Sequence, residues 1–125
     1  MKILLVTTRS NELAEFISGL DLNKHEPVLA ESGRDALDFV HSIKPDLIIV
    51  DKNLPDYDSL DLVREIIRAD AMVNTAVITE MNSKKFHEKS EGLGILSALP
   101  GNPGNEDARK LLLDMENILM AGMKR

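Results

Sequence analysis

The chain has 125 residues, of which 43% are hydrophobic and 3% aromatic, and this length and composition predict a single domain over residues 1–125 with an aliphatic core. The formal net charge of -6 disfavours nucleic acid and anionic membranes as direct partners, because both attract clustered Lys and Arg. The absence of cysteine excludes disulfides, thiolate metal sites and a cysteine nucleophile.

The first predicted element is a strand formed by the apolar run at residues 3–6. This run is too short for the apolar region of a signal peptide or for a membrane span, so we expect the chain to be cytoplasmic. Thr7, Thr8 and Ser10 follow it in a hydroxyl-rich loop. We interpret this loop as the cap of the next helix, provided by Ser10, and the alternative is a small-anion site at that helix N-terminus.

Apolar runs alternate with segments of helical periodicity along the whole chain. The predicted strands lie at residues 3–6, 27–30, 47–50, 76–79 and 94–98. The predicted helices lie at residues 11–20, 33–43, 59–69, 82–92 and 105–121. The runs are continuously apolar, which indicates strands buried on both faces, as in a parallel sheet between two helix layers. Five consecutive strand–helix units therefore predict an α/β protein with a doubly wound parallel sheet.

The last predicted helix has apolar residues on two sides. Its predicted core face is formed by Ala108, Leu111, Leu112, Met115, Ile118 and Leu119. Leu113 and Met120 lie seven residues apart on the opposite side. We therefore expect Leu113 and Met120 to be exposed, and they are candidates for contact with another protein.

The residues that directly follow the predicted strands are the candidates for function. In a doubly wound sheet, ligands bind beyond the carboxyl ends of the strands. The residues at these positions are Thr7, Thr8, Asp51, Thr79, Glu80 and Leu99. Asp51 ends the run at residues 47–50 and begins a loop that contains a proline and further acids. A carboxylate at the rim of a sheet is a candidate nucleophile.

The segment "PDLIIVDKNLPDYDSLDL" resembles the receiver domain of bacterial two-component response regulators. The segments "KILLV", "ESGRDAL" and "AVIT" and the pair "LP" after the fifth predicted strand support the resemblance over essentially the full length. In that family a strand-end Asp is followed by a variable pair, an apolar residue and a proline, as from Asp51 to Pro55. The resemblance implies a flavodoxin-like (βα)5 domain with strand order 2-1-3-4-5 that acts in phosphorelay signal transduction.

The resemblance also implies a role for three residues of the predicted sheet edge. Asp51 lies at the position that accepts a phosphoryl group from a histidine kinase. Asn53 lies where a backbone carbonyl ligates Mg²⁺ beside that Asp, and Thr79 lies where a switch hydroxyl bonds a phosphoryl oxygen. These three residues match the family pattern.

Five other positions depart from the family pattern. Thr7 and Thr8 replace the two acids that hold the metal, and Leu99 replaces the lysine that pairs with the phosphoryl group. Leu96 stands at the position of the switch aromatic, and Glu80 stands where a small residue follows the switch hydroxyl. The resemblance further implies a cis peptide bond between Leu99 and the proline that follows it.

These departures remove charges on which phosphoryl transfer depends. Hydroxyls are poor substitutes for carboxylates on Mg²⁺, so we expect no cofactor, or weak Mg²⁺ at most. Leu99 provides no cation to offset a phosphoryl dianion, and Glu80 would repel an arriving phosphate and cover Asp51. The alternative is that Glu80 or Asp56 swings in as a substitute metal ligand.

We interpret the chain as an atypical receiver, a pseudo-receiver that is not an enzyme and acts through protein contacts. Its expected partners are a sensor histidine kinase or other signalling protein, and the family implies a homodimer through the fourth helix, fifth strand and fifth helix. The first alternative is a phospho-accepting receiver in which Asp51 takes a phosphoryl group from a histidine kinase. The second is a flavodoxin-like small enzyme or nucleotide binder, although the sequence has no phosphate-binding loop.

Overall fold

The computed structural model describes residues 1–22 and 25–123, in which five strands alternate with five helices. The strands are β1 Ile3–Val6, β2 Val28–Ala30, β3 Leu47–Val50, β4 Asn74–Ile78 and β5 Ser97–Leu99. The helices are α1 Ala14–Leu22, α2 Gly33–Ile43, α3 Ser59–Ala69, α4 Ser83–Ser90 and α5 Asn105–Met123. All pairs of neighbouring strands are parallel, and their order is β2-β1-β3-β4-β5. The predicted doubly wound sheet and its strand order are confirmed.

Several local predictions were wrong. α1 begins at Ala14, later than predicted, because residues 10–13 form turns in which the Arg9 carbonyl accepts hydrogen bonds from the Glu12 and Leu13 N–H groups. Ser10 lies in these turns and does not cap α1. β5 begins at Ser97, later than expected, and Gly94 has a φ of 62°, which lies outside the extended region of a regular strand. The described residues contain no cis peptide bond, so Leu99 precedes a trans proline, the commoner isomer.

The sheet separates two apolar layers, which explains the continuous apolar runs of the inner strands β1 and β3. On one side, α1 and α5 pack against Leu5, Ile49 and Ile78. On the other side, α2 and α3 pack against alternate residues of the same strands. The polar helix α4 buries a single residue, Phe86, in this second layer. The edge strand β2 differs from the prediction of burial on both faces, because Val28 and Leu29 are exposed.

α5 confirms the predicted core face over its first half only. Residues 108, 111, 112 and 115 are buried, but Ile118 and Leu119 are 39% and 42% exposed. With 19 residues the helix is about 28 Å long, and α1 beside it has only 9 residues, so the end of α5 has little to pack against. Leu113 and Met120 are exposed, as predicted. No helix in the described part of the chain, α5 included, has the length and apolar content needed to cross a membrane.

Candidate functional site at the carboxyl edge of the sheet

Four loops lie at the edge of the sheet where the parallel strands end. The β1–α1, β3–α3, β4–α4 and β5–α5 loops share this edge because the strands that precede them are parallel. The ladder extends into three of these loops: the Thr7 N–H donates to the Ala30 carbonyl at 2.9 Å, the Asp51 N–H donates to the Val6 carbonyl at 2.9 Å, and the Thr79 N–H donates to the Leu99 carbonyl at 3.0 Å. The sheet itself therefore fixes the positions of Asp51 and Thr79.

The Asp51 carboxylate is fully buried and accepts hydrogen bonds from three residues. The Thr7 hydroxyl donates to Oδ2 at 2.7 Å, and the Lys52 backbone N–H donates to Oδ1 at 2.8 Å. The Arg9 guanidinium donates to both oxygens, from Nε to Oδ2 at 2.8 Å and from Nη2 to Oδ1 at 2.9 Å. This bidentate arrangement is the geometry in which arginine binds carboxylates most strongly. Asp51 is thus held as an ion pair.

The Arg9 guanidinium also binds the β5–α5 loop. Nη2 donates to the Gly101 carbonyl at 2.6 Å, and Nη1 donates to the Asn102 side-chain oxygen at 3.1 Å. The Arg9 side chain is 17% exposed. Its hydrogen bond to Asp51 and the charge of that carboxylate raise the pKa of Arg9 above its ordinary value. Arg9 therefore joins Asp51 to a loop on the other side of the site.

A second ion pair lies beside the first and is more exposed. The Lys52 ammonium binds the Glu80 carboxylate, whose side chain is 70% exposed. This hydrogen bond and the charge of Lys52 lower the pKa of Glu80. A Cβ atom added at Gly101 would lie 2.7 Å from Cγ of Glu80, so the Glu80 side chain packs against the β5–α5 loop. Glu80, which was predicted to cover Asp51, binds Lys52, and the side chain that contacts both Asp51 oxygens is that of Arg9.

Thr79 and Asn53 occupy the predicted edge but have local roles in this structure. The Thr79 hydroxyl accepts a hydrogen bond from the Met81 N–H at 3.1 Å. Asn53 has a φ of 57°, a left-handed turn conformation that asparagine tolerates better than most residues. Both side chains border a cleft of about 400 Å³ with Lys52 and Glu80. The cleft lies beside the Asp51 ion pair.

The positions that depart from the family pattern fall into two groups. Leu99 is buried, and Leu96 is partly buried against the same apolar layer formed by α1 and α5. Both therefore contribute to the core. Thr7 is buried and bonded to Asp51, whereas Thr8 is exposed. Of the predicted acid-pair positions, one touches Asp51 and the other does not.

Asp56 is held by the start of α2. Its carboxylate accepts hydrogen bonds from the backbone N–H groups of Gly33 at 2.8 Å and Arg34 at 3.0 Å. These two bonds lower the pKa of Asp56, with Gly33 the larger influence. They satisfy orphan donors at the helix N-terminus. Asp56 thus connects the β3–α3 loop to α2.

A comparison with known proteins gives the family. The family model described as "Response regulator receiver domain" matches residues 3–101. The chain belongs to the response regulator receiver domain family. Receiver domains interact with histidine kinases and other signalling proteins. The site described above lies at the carboxyl edge of the sheet of this receiver domain.

One relative is similar in sequence to part of this chain. Protein-glutamate methylesterase/protein-glutamine glutaminase 1 of Methanosarcina mazei is 30% identical over 82 residues, which cover 64% of this chain and only 23% of that relative. The receiver domain described here thus spans less than a quarter of that protein's length.

Solved receiver structures share the fold. The chemotaxis response regulator CheY4 of Vibrio cholerae has a TM-score of 0.80 at 21% identity, with 91% of this chain and 97% of that chain covered. The signal receiver domain of an HD domain-containing protein from Pseudomonas fluorescens has a TM-score of 0.82 at 21% identity, with 99% and 92% covered.

The residues around Asp51 do not fit the Mg²⁺ ion that the receiver family implies. Mg²⁺ requires an octahedral shell of oxygen ligands and releases its waters reluctantly. Here both Asp51 oxygens accept hydrogen bonds, Thr7 donates its hydroxyl hydrogen to one of them, and the Arg9 cation adds repulsion. Among the residues that the structure describes, no group of three or more His, Asp or Glu side chains is arranged to hold a metal ion.

Arg9 is the site residue that the sequence analysis missed. The signal was present, because Arg9 follows directly after the two threonines that replace the acid pair. A buried carboxylate that lacks its metal needs a positive partner, since an isolated buried charge is strongly unfavourable. By sequence alone Arg9 was one candidate for this partner and Lys52, directly after Asp51, was another.

Proposed function

We propose that this receiver domain is a pseudo-receiver, in which Asp51 does not accept a phosphoryl group and signals pass through protein contacts. The observation that supports this proposal is the bidentate ion pair between Arg9 and Asp51. An attacking carboxylate needs one oxygen free and in line with the phosphorus atom. Here both oxygens of Asp51 are bound.

The position of the positive charge also disfavours phosphoryl transfer. Catalysis of this reaction depends on cations placed against the phosphoryl oxygens. The Arg9 cation lies instead on the nucleophile, where it stabilises the carboxylate in its resting state. Leu99 supplies no cation for the product, and we propose that the domain uses no cofactor or binds Mg²⁺ weakly at most.

The free energy needed to separate the Asp51 carboxylate from the Arg9 guanidinium follows from the usual cost of breaking such pairs. Removing one member of a buried ion pair costs about 3–5 kcal/mol, and the partial exposure of Arg9 places this pair near 2–3 kcal/mol. At 1.4 kcal/mol for each factor of ten, the carboxylate would be free in roughly one molecule in 30 to one in 150. Such a population would slow any phosphorylation strongly.

The test is the intact mass of the full chain after incubation with acetyl phosphate and Mg²⁺. We expect no mass change for the wild type or for Asp51→Asn, while an active receiver domain treated in parallel verifies the reagent. A stoichiometric gain of one phosphoryl group in the wild type that is lost in Asp51→Asn would overturn the pseudo-receiver proposal. That result would support the alternative in which Asp51 accepts a phosphoryl group from a histidine kinase.

We further propose that the domain is non-enzymatic and contacts a sensor histidine kinase or other signalling protein, with no role for nucleic acid or membrane. The family surface of α4, β5 and α5 is the proposed site of a homodimer or partner contact. Leu113 and Met120 support this surface, because they are 48% and 56% exposed on α5. The single domain over residues 1–125 and the cytoplasmic location stay predictions.

The α5 contact can be tested with Leu113→Asp. We expect this change to weaken self-association or partner binding, measured by size-exclusion chromatography with light scattering. Met72→Asp is the matched control, because Met72 is 88% exposed in a turn outside α5. Equal behaviour of the two variants and the wild type would remove α5 from the proposed contact surface.

A further inference from the structure

The contacts around Asp51 close into a ring. Asp51 binds the Arg9 guanidinium, and Arg9 donates to the Gly101 carbonyl. Gly101 packs against Glu80, Glu80 binds the Lys52 ammonium, and the Lys52 backbone N–H donates to Asp51. These five residues, which we call the clasp, come from the β1–α1, β3–α3, β4–α4 and β5–α5 loops. The clasp thus connects four loops through side chains of the protein itself.

We propose that the clasp is a built-in conformational lock that holds the β5–α5 loop, residues 100–104, against Asp51 without a metal or a phosphoryl group. Arg9 is its positioning residue. The lock orders the β5–α5 loop, and this effect does not depend on whether Asp51 can be phosphorylated.

The composition of the β5–α5 loop makes it dependent on Arg9. Pro100 and Pro103 have no N–H group to donate. Within the described part of the chain, the hydrogen bonds that Gly101 and Asn102 receive from other elements both come from Arg9. Pro103 is buried and anchors the far end of the loop. The guanidinium therefore supplies the hydrogen bonds that join the first half of the loop to the rest of the site.

The position of this loop is transmitted to the start of α5. Gly104 ends the loop, and its carbonyl accepts the first helical hydrogen bond, from the Ala108 N–H at 3.2 Å. A Cβ atom added at Gly19 of α1 would lie 2.7 Å from the Asn105 Cα and 2.9 Å from the Ala108 Cβ, so α1 and α5 are in close contact here. The loop at residues 100–104 is short and ends at this close contact, so a shift of the loop would also shift the start of α5. Arg9 therefore links the Asp51 carboxylate to the contact between α1 and α5.

The test is ¹⁵N relaxation of the full chain in the wild type, Arg9→Ala and Arg109→Ala. We expect the backbone order parameters of Gly101 and Asn102 to fall from about 0.85 to below about 0.6 in Arg9→Ala. Arg109→Ala is the matched control, because Arg109 binds Glu106 within α5, and its order parameters at these two residues should equal those of the wild type. Arg9→Lys should fall between the two, since a lysine cannot bind Asp51 and the loop in the same forked geometry.

Amide hydrogen exchange gives a second measure. The Ala108 amide should exchange at least about tenfold faster in Arg9→Ala through local opening, whereas the amides of β3 should accelerate only as far as global stability falls. A native circular dichroism spectrum of the variant shows that the fold is intact. If Arg9→Ala does not fold, Asp51→Asn removes the ion pair with little change of shape and should loosen the same two loop residues. Wild-type order at Gly101 and Asn102 in a folded variant lacking the pair would overturn the lock. That outcome would leave the pseudo-receiver proposal standing, whereas phosphorylation of Asp51 would overturn the pseudo-receiver and leave the lock.

Discussion

In the described part of the chain, two arginines bind carboxylates with more than one hydrogen bond, in very different surroundings. Arg109 binds Glu106 within α5, at 2.9–3.0 Å, and both side chains are more than half exposed. Arg9 binds Asp51 from 42 residues away in sequence, at 2.8–2.9 Å, and the carboxylate is fully buried. The contacts are chemically alike, but one lies within a helix surface and the other joins separate loops.

The comparison teaches that the surroundings of an ion pair determine how much it contributes to the stability of the protein. Around Arg109 water competes for both groups and salt screens them, so the pair contributes little. Around Arg9 the carboxylate has no access to water, so the loss of the cation would leave a buried charge with two neutral donors, Thr7 and the Lys52 N–H. Only the Arg9 pair is therefore expected to control stability and the order of the site.

The largest expected effect is that of Arg9→Ala on stability. We expect the free energy of unfolding to fall by roughly 2–3 kcal/mol, because Asp51 stays buried without its counter-ion. Urea denaturation followed by circular dichroism measures the change. A loss below about 0.5 kcal/mol would mean that the pair behaves like a surface ion pair, and the contrast with Arg109 would fail.

The next prediction concerns the coupling between Arg9 and Asp51. The double variant Arg9→Ala with Asp51→Ala should be less destabilised than the sum of the single variants, with an interaction energy of at least about 1.5 kcal/mol. Removal of both charges leaves no unpaired buried ion, which is the reason for the non-additivity. Strict additivity in the same urea measurements would show that the two residues act independently.

Asp56 provides a case between the two extremes, because its carboxylate is exposed but accepts two backbone hydrogen bonds from α2. Its pKa is lowered in the folded state, so its contribution to stability is fully present above the ordinary carboxyl pKa. That contribution is lost as the pH falls through the lowered value. The melting temperature of Asp56→Asn should therefore lie below that of the wild type near neutral pH and converge with it in acid. A gap that is independent of pH would contradict this role for Asp56.

The smallest expected effect is that of Arg109→Ala. Its melting temperature should stay within about 1 °C of the wild type, because exposed pairs within one helix contribute little. Scanning calorimetry of this variant beside Arg9→Ala places the two arginines on one scale. Equal shifts in the two variants would remove the distinction between them.

Much of the fold could be predicted from the sequence. α2 and α3 begin and end where predicted, because each has strong periodicity and a capping side chain, Ser32 for α2 and Asp58 for α3. The strands β1 and β3 also match, since a parallel sheet between helices requires continuous apolar runs. The start of β5 was misplaced because periodicity carries no information on the positive φ of Gly94.

The site was predicted less completely than the fold. The position of Asp51 follows from the end of β3, and the sequence alone indicates that the usual acids and lysine are absent. The role of Arg9 depends on where a long side chain points from a loop, and on the Gly101 carbonyl that lies within its reach. Sequence spacing does not encode that direction. The partner of Asp51 therefore became visible only in three dimensions.

The most direct test of the central claim is a crystal structure of the chain grown with Mg²⁺ and beryllofluoride, an analogue of the phosphoryl group. We predict that the Arg9 guanidinium lies within hydrogen-bond distance of both Asp51 oxygens and that no beryllofluoride is bound there. A structure with beryllofluoride on Asp51 and Arg9 displaced from it would contradict the claim that Arg9 occupies the site.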